Sequence, residues 1–188
     1  YAIFSTLLLL GIPQSMLYFL PKAGSPEKQN TLISRCLNII SVLGLVFAFC
    51  LLIFRGVIAT LFHNPALEKL LIIYALYPVF LFVTQFFSNV MLGLKQPLKA
   101  ATFTIFSVTA DFILIVGSAL ITRNLTIIVG GVISSAFLQW LYARITLSHF
   151  RAKGTCFDLS AFKALMSYSL PLGLSSIIGM LSIQLDKL

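Results

Sequence analysis

Apolar runs long enough to cross a bilayer follow one another along this sequence. Five are complete and a sixth begins near residue 169; the five cover approximately 1–20, 32–54, 70–94, 101–121 and 126–149. A helix of about 20 apolar residues spans the roughly 30 Å of hydrocarbon in a membrane. Because lipid offers no hydrogen bonds to the backbone, such runs fold as helices. The sequence therefore predicts an all-α, polytopic transmembrane helix bundle.

The composition also argues against a soluble fold. Hydrophobic residues make up 59% of the 188 residues and charged residues only 10%, whereas a soluble domain has about 25% charged residues. The formal net charge of +8 would suggest a nucleic-acid partner for a soluble protein. Here the basic residues are spread over short loops, so we expect contact with membrane lipids and no nucleic acid.

The basic residues are divided unevenly between alternate connections of the predicted helices. Nine follow the first, third and fifth runs, and three follow the second and fourth. The nine are Lys22, Lys28, Arg35, Lys95, Lys99, Arg144, Arg151, Lys153 and Lys163, and the three are Arg55, Lys69 and Arg123. The positive-inside rule places the side with nine basic residues in the cytoplasm. The longest connection, 150–168, is predicted to be a cytoplasmic amphipathic linker.

Asp111 is the most conspicuous polar residue within the apolar runs. It lies near the middle of the fourth run, where a charge costs roughly 2.5–3.5 kcal/mol on insertion scales. Thr104 and Ser107 share its helix face. One interpretation is a proton or cation site, or a contact to a polar substrate, that lines a wet cavity. The other is a protonated Asp satisfied by Ser107 and by neighbouring helices.

Weaker polar faces occur on three other runs. They comprise Arg35, Asn38 and Ser41 on the second, Gln85, Ser88 and Asn89 on the third, and Ser135, Gln139 and Tyr142 on the fifth. Hydrogen bonds between helices, worth about 0.6 kcal/mol each on average, would explain any one of these faces. Several helices with one polar face each are also what a central hydrophilic cavity requires.

Prolines interrupt three of the runs. Pro13 lies in the first, Pro78 in the third and Pro171 in the sixth. Proline in a spanning helix frees a backbone carbonyl and permits a kink. Pro13 and Pro171 are predicted hinges for a conformational change, with static kinks for packing as the alternative, and Pro78 is predicted to be a static kink.

The residues give little support to an enzyme. The five acidic residues are scattered, and His63 and His149 lie at opposite membrane ends without a second ligand at metal spacing. The sequence has no nucleophile elbow and no phosphate-binding loop. We therefore expect no enzymatic activity, no catalytic residue and no metal site.

Several stretches resemble one family of membrane proteins. GIPQSMLYFLPKA (11–23), LFHNPAL (61–67), VMLGLKQPLKAA (90–101) and SYSLPLGLSSIIGMLSIQLDKL (167–188) are similar to the polysaccharide-biosynthesis flippases of the multidrug/oligosaccharidyl-lipid/polysaccharide superfamily. The last stretch, with Pro171 and the Asp186-Lys187 pair, resembles the seventh helix of that family. The resemblance covers essentially the whole chain and implies a fold of two six-helix lobes.

The resemblance also implies a division of the chain. Residues 1–149 would be transmembrane helices of the first lobe, 150–168 the linker, and 169–188 the start of the first helix of the second lobe. We accordingly expect a piece of a longer protein, with the second lobe as its partner. Glycan polymerase or glycosyltransferases are further candidate partners.

The function that the resemblance implies is transport across the bacterial inner membrane. The cargo would be an undecaprenyl-pyrophosphate-linked oligosaccharide, carried by alternating access for cell-surface polysaccharide or lipopolysaccharide biosynthesis. No cofactor is expected, and H⁺ and Na⁺ are the candidate coupling ions. The candidate substrate or ion cavity residues are Asp111, Arg35, Asn38, Gln85, Asn89, Gln139 and Asp186.

Two other functions stay open on the same residues. A drug/cation antiporter of the same superfamily would share the fold but need a more acidic, aromatic-lined cavity, and Arg35 beside Asp111 fits that less well. A non-transporting membrane scaffold for glycan assembly would gain nothing from polar faces on four helices.

Overall fold

The structure is a computed structural model that describes residues 9, 11–122, 124–150, 163, 166–175 and 178–179. Every regular element within these residues is helical, in agreement with the predicted all-α class. In chain order the elements are α1 (Ile12–Lys22), α2 (Pro26–Leu61), α3 (Ala66–Tyr74), α4 (Tyr77–Gly93), α5 (Pro97–Asp111), a π turn (Phe112–Val116), α6 (Gly117–Ile121), α7 (Leu125–Ser148) and α8 (166–175).

Three helical stretches of the described residues are long and apolar enough to cross a membrane. They are α2, the continuous stretch Pro97–Ile121 and α7, and α3 with α4 forms a fourth span if the bent pair is counted as one. The predicted first and sixth spans fall partly on residues outside the described ranges. The total of five spans plus a sixth therefore stays a prediction, as do the linker over 150–168 and the placement of Asp186.

Helix boundaries follow capping chemistry. The Ser25 hydroxyl accepts a hydrogen bond from the Lys28 N–H at 3.4 Å, and Pro26 occupies the first turn of α2. Proline fits that position because the first N–H groups of a helix have no partner within it. As a result α2 has 36 residues and begins well before the predicted run at 32.

The third predicted run, 70–94, is a broken helix. α3 and α4 meet at an angle of 42°, and Pro78 lies in the first turn of α4. Because proline has no N–H, the helical hydrogen-bond ladder is interrupted here. Pro78 is buried, so packing holds the bend in place.

α4 is the central helix of the bundle. It packs against α1, α2, α5 and α7, and its Phe82, Phe86 and Phe87 are fully buried. Glycines allow two of these contacts. A Cβ on Gly44 of α2 would lie 3.2 Å from Val79 Cα, and a Cβ on Gly93 of α4 would lie 2.8 Å from the Met16 carbonyl oxygen of α1.

Aromatic rings fill the space between α4, α5 and α7. The Phe87 and Phe103 ring centroids are 4.6 Å apart, and the Tyr142 ring stacks on Phe106 at 5.2 Å. The outward side of α2 carries large apolar residues that remain exposed, namely Val42, Leu45, Val46, Phe49, Ile53 and Val57. An exposed apolar helix face of this length fits a lipid environment.

α8 packs against the start of α1. Gly11 has a positive φ of 69°, and a Cβ on it would lie 2.3 Å from the Ser169 carbonyl oxygen. Only glycine permits both this left-handed backbone and this close approach. Two turns further along α1, the ring of Tyr18 stacks on that of Tyr168, with the centroids 4.6 Å apart.

Candidate functional site

Asp111 ends α5 and faces two polar side chains of α7. The Ser135 hydroxyl donates a hydrogen bond to Asp111 Oδ1. Gln139 Nε2 donates to the same carboxylate oxygen at 2.9 Å and to Ser135 Oγ at 3.0 Å. The structure thus brings two predicted site residues together, Asp111 and Gln139. It adds Ser135, which shares a helix face with Gln139 in the sequence.

The carboxylate of Asp111 has no cationic partner in the part of the chain that the structure describes. Its hydrogen-bond donors, Ser135 and Gln139, are both neutral, and no described Lys, Arg or His forms an ion pair with it. Tyr77, at the start of α4, interacts electrostatically with the carboxylate. Asp111 is half-buried, so its carboxyl group is held between helices, and its hydrogen-bond donors among the described residues are neutral.

Two further features lie beside Asp111. The π turn Phe112–Val116 follows it directly, and π turns within helices occur frequently at functional sites. Ser107, one turn before it, has a buried hydroxyl that makes no hydrogen bond with the described residues. By contrast, Thr104 and Ser118 on the same stretch donate to backbone carbonyls of their own helix, at 3.0 and 2.8 Å.

Gln85 and Asn89 lie together on the least covered side of α4. Asn89 Nδ2 donates to the Gln85 carbonyl oxygen at 3.0 Å, and Leu81, Ser88 and Leu92 share the incompletely buried strip. Within the described residues no hydrogen bond joins this strip to Asp111. The strip is therefore a second polar surface, separate from the Asp111 group.

A third polar surface is a cleft between the start of α2 and the end of α7. The cleft has a volume of about 120 Å³ and is lined by Ile33, Ser34, Leu37, Asn38, Arg144, Leu147 and Ser148. It contains the predicted Asn38, while the half-buried Arg35 lies outside its lining. Arg144 is a site residue that sequence reasoning counted only as a topology charge. The available signal in the sequence was the position of Arg144 four residues after Trp140. In the structure the guanidinium carbon of Arg144 lies 5.7 Å from the centroid of the Trp140 ring.

A wider cavity lies at the other end of α7. It measures about 440 Å³ and is lined by Pro65, Ala66, Lys69, Leu70, Leu125 and Thr126. The connection before α3 and the connection before α7 therefore meet at one end of the bundle. The start of α2 and the end of α7 meet at the opposite end of the bundle. The alternating charge pattern of the sequence predicts this same grouping of the connections.

The two predicted hinge prolines have different surroundings. Pro13 is buried in the first turn of α1, where its missing N–H costs no helical hydrogen bond. Pro171 is exposed within the helical stretch 166–175. Their hinge roles stay predictions, and Asp186 lies outside the described residues.

Comparisons with known proteins place the chain in a family. No curated protein and no solved structure gives a significant match to it. A family model described as a polysaccharide biosynthesis protein matches residues 1–188, the full length of the sequence. With its apolar helices and the polar groups held between them, the chain belongs to the polysaccharide biosynthesis protein family.

Proposed function

We propose that this protein transports an undecaprenyl-pyrophosphate-linked oligosaccharide across the bacterial inner membrane by alternating access. The product would serve cell-surface polysaccharide or lipopolysaccharide biosynthesis. Family membership supports a role in making polysaccharide, and helices able to span a membrane support a role within the bilayer. The proposal is for a transporter and not for an enzyme.

The cleft between α2 and α7 is the observation that carries this proposal. It opens between two long apolar helices and offers Ser34, Asn38 and Ser148 as hydrogen-bonding groups, with Arg144 as a cation. Sugar hydroxyls need such donors and acceptors, and a guanidinium matches the geometry of phosphate oxygens. The lipid tail can stay in the bilayer beside the exposed apolar face of α2.

The polar strip of α4 adds to this interpretation. Gln85, Ser88 and Asn89 are only half-buried on a helix whose other sides are covered. Polar side chains on a membrane helix are costly where they face lipid. A transporter uses such a strip to accompany a hydrophilic headgroup, whereas a scaffold has no use for it.

The first experiment measures transport directly. The protein is reconstituted in liposomes with a fluorescently labelled undecaprenyl-pyrophosphate oligosaccharide, and the movement of label between leaflets is followed by quenching from outside. We expect protein-dependent movement and no ethidium efflux. Ethidium efflux without glycan-lipid movement would favour the drug/cation antiporter, and neither activity would favour the scaffold.

Substitution of Arg144 tests the role of the cleft. Hydrogen bonds to charged groups contribute about 1.5–3 kcal/mol, so Arg144→Gln should slow glycan-lipid transport by about tenfold or more. Arg55→Gln is the matched control and should transport normally. Arg55 of α2 pairs at 3.2 Å with Glu68 of α3, and both side chains are partly exposed. Equal rates for both variants and the wild type would remove Arg144 from the substrate path.

A further inference from the structure

The wide cavity between the starts of α3 and α7 lies at the opposite end of α7 from the Arg144 cleft. We propose that this cavity binds one anionic phospholipid, whose phosphodiester group contacts Lys69 and Thr126. The inference goes beyond the proposed function, because the ligand is a resident lipid and not the transported cargo. Since α3 and α7 contact each other, a lipid bound there would hold the two helix starts together.

The size of the cavity fits a lipid headgroup. Its volume is about 440 Å³, within the roughly 300–1,000 Å³ that is usual for small-molecule sites. The Arg144 cleft is much smaller, at about 120 Å³. The wider cavity therefore has room for a whole phosphodiester headgroup.

Lys69 gives the cavity a positive charge that is not offset. Its side chain is exposed, lines the cavity and forms no ion pair with the described residues. The neighbouring Glu68 pairs with Arg55 at 3.2 Å, so those two charges balance each other. A lysine ammonium binds phosphate as a point charge, and the cavity therefore favours an anionic ligand.

The hydrogen-bonding groups around Lys69 indicate how the ligand is held. Thr126 lines the cavity, and its hydroxyl makes no hydrogen bond with the described residues. The Asn64 side chain already accepts a hydrogen bond from the Ala66 N–H at the start of α3. The Asn124 side chain does the same for the Thr126 N–H at the start of α7. The donors left for phosphate oxygens are thus the ammonium and the hydroxyl.

Apolar side chains surround this polar part of the cavity. Leu70 and Leu125 line it. Phe62 and Ile121, near the connections that lead into α3 and α7, are 67% and 83% exposed. Acyl chains cover such side chains in a membrane. A ligand with an anionic headgroup and apolar chains matches both parts of the site, whereas a free phosphate ion matches only the polar part.

The charge of the site also favours an anionic lipid over a zwitterionic one. Phosphatidylglycerol carries one negative charge, which the Lys69 ammonium neutralises. Phosphatidylcholine would bring a quaternary ammonium next to Lys69, and like charges at short range repel each other. We therefore expect phosphatidylglycerol to bind more tightly than phosphatidylcholine.

The test is native mass spectrometry of the delipidated protein, which counts the lipids bound as each lipid is added. We expect saturable binding of one phosphatidylglycerol molecule. Phosphatidylcholine with the same acyl chains should bind about tenfold more weakly. Inorganic phosphate at the same concentration should not displace the phosphatidylglycerol.

Three substitutions locate the site. Lys69→Gln should weaken phosphatidylglycerol binding by about tenfold or more, because it removes an interaction with a charged group. Ala66→Trp keeps every charge but fills the cavity, so it should also weaken binding. Lys99→Gln is the matched control and should bind like the wild type. Lys99 is likewise exposed near the start of a helix, α5, at the other end of the bundle.

Several outcomes would overturn the proposal. They are a wild type that retains no phosphatidylglycerol, equal affinity for the two phospholipids, equal losses in Lys69→Gln and Lys99→Gln, and unchanged binding by Ala66→Trp. Displacement by inorganic phosphate would show an ion site instead of a lipid site. Tighter binding of undecaprenyl phosphate than of phosphatidylglycerol would make the cavity part of the cargo path.

The binding measurement is separate from the transport assay. Absent phosphatidylglycerol binding with intact glycan-lipid transport rejects the lipid site alone. Normal phosphatidylglycerol binding without glycan-lipid transport rejects the proposed function alone.

Discussion

Two adjacent glycines on α7, Gly130 and Gly131, have different roles in helix packing. Nothing lies within 4 Å of a Cβ added to Gly130. A Cβ on Gly131 would instead lie 2.7 Å from the Leu114 carbonyl oxygen and 2.8 Å from Ser118 Oγ. Gly131 therefore determines how closely α7 approaches the π turn, whereas Gly130 has no effect on the distance between the helices. Both positions are glycine in the sequence, so only the contacts in the structure distinguish them.

Alanine at these two positions should have opposite effects on stability. Gly130→Ala should be neutral or stabilising by up to about 1 kcal/mol, because alanine favours helix more than glycine does. Gly131→Ala should destabilise by about 1–3 kcal/mol, since the methyl group forces the two helices apart. Thermal unfolding in detergent, monitored by circular dichroism, measures both. Equal midpoints for the two variants would contradict the α7 packing described above.

α3 and α7 begin where a side chain accepts a hydrogen bond from one of the first free N–H groups. α7 starts at Leu125 because the Asn124 side chain accepts a hydrogen bond from the Thr126 N–H at 3.0 Å. Asn64 does the same for the Ala66 N–H at the start of α3, at 3.1 Å. These hydrogen bonds fix where α3 and α7 begin, which hydropathy alone determines only approximately.

Removal of the α7 cap gives a prediction at this scale. Asn124→Ala should lower stability by about 0.5–2 kcal/mol, the usual cost of losing such a cap. Asn124→Asp keeps an acceptor oxygen and serves as the matched control, with stability near that of the wild type. The unfolding midpoint in detergent reports both variants. A midpoint for Asn124→Ala equal to that of Asn124→Asp would show that the cap contributes nothing.

The whole molecule has two chemically different ends. The start of α2 and the end of α7 border the cleft that contains Arg144. The starts of α3 and α7 border the opposite cavity. In the sequence, nine basic residues fall in the connections predicted for the first side and three in those predicted for the other. By the positive-inside rule we therefore predict that the first side faces the cytoplasm.

Cysteine labelling in cells tests this orientation. In a background whose three cysteines are replaced by alanine, Pro65→Cys should react with a membrane-impermeant maleimide in intact spheroplasts. Lys28→Cys should react only after permeabilisation. Both positions are exposed, so accessibility to the reagent depends on the side of the membrane. The reverse pattern would invert the bundle and move the Arg144 cleft to the outer face.

Some features of the protein were determined by the sequence alone. Long apolar runs are sufficient to predict helices in lipid, because a helix satisfies its own backbone hydrogen bonds. The unusual position of Asp111 was equally visible, because an acidic residue within an apolar run is recognised without knowing its neighbours in space. The family followed from the resemblance of the 11–23, 90–101 and 167–188 stretches, and the matching family model confirms it.

Other features were decided only by the tertiary structure. Asp111 meets Ser135 and Gln139 across 24 and 28 residues of sequence, and Asn38 meets Arg144 in one cleft. Such pairings depend on the rotation and crossing of whole helices, and these are set by contacts such as those of Gly44, Gly93 and Gly131. Helical periodicity shows which residues share a face. It carries no information about which helix that face will meet, because in lipid close packing, and not burial from water, selects the neighbour.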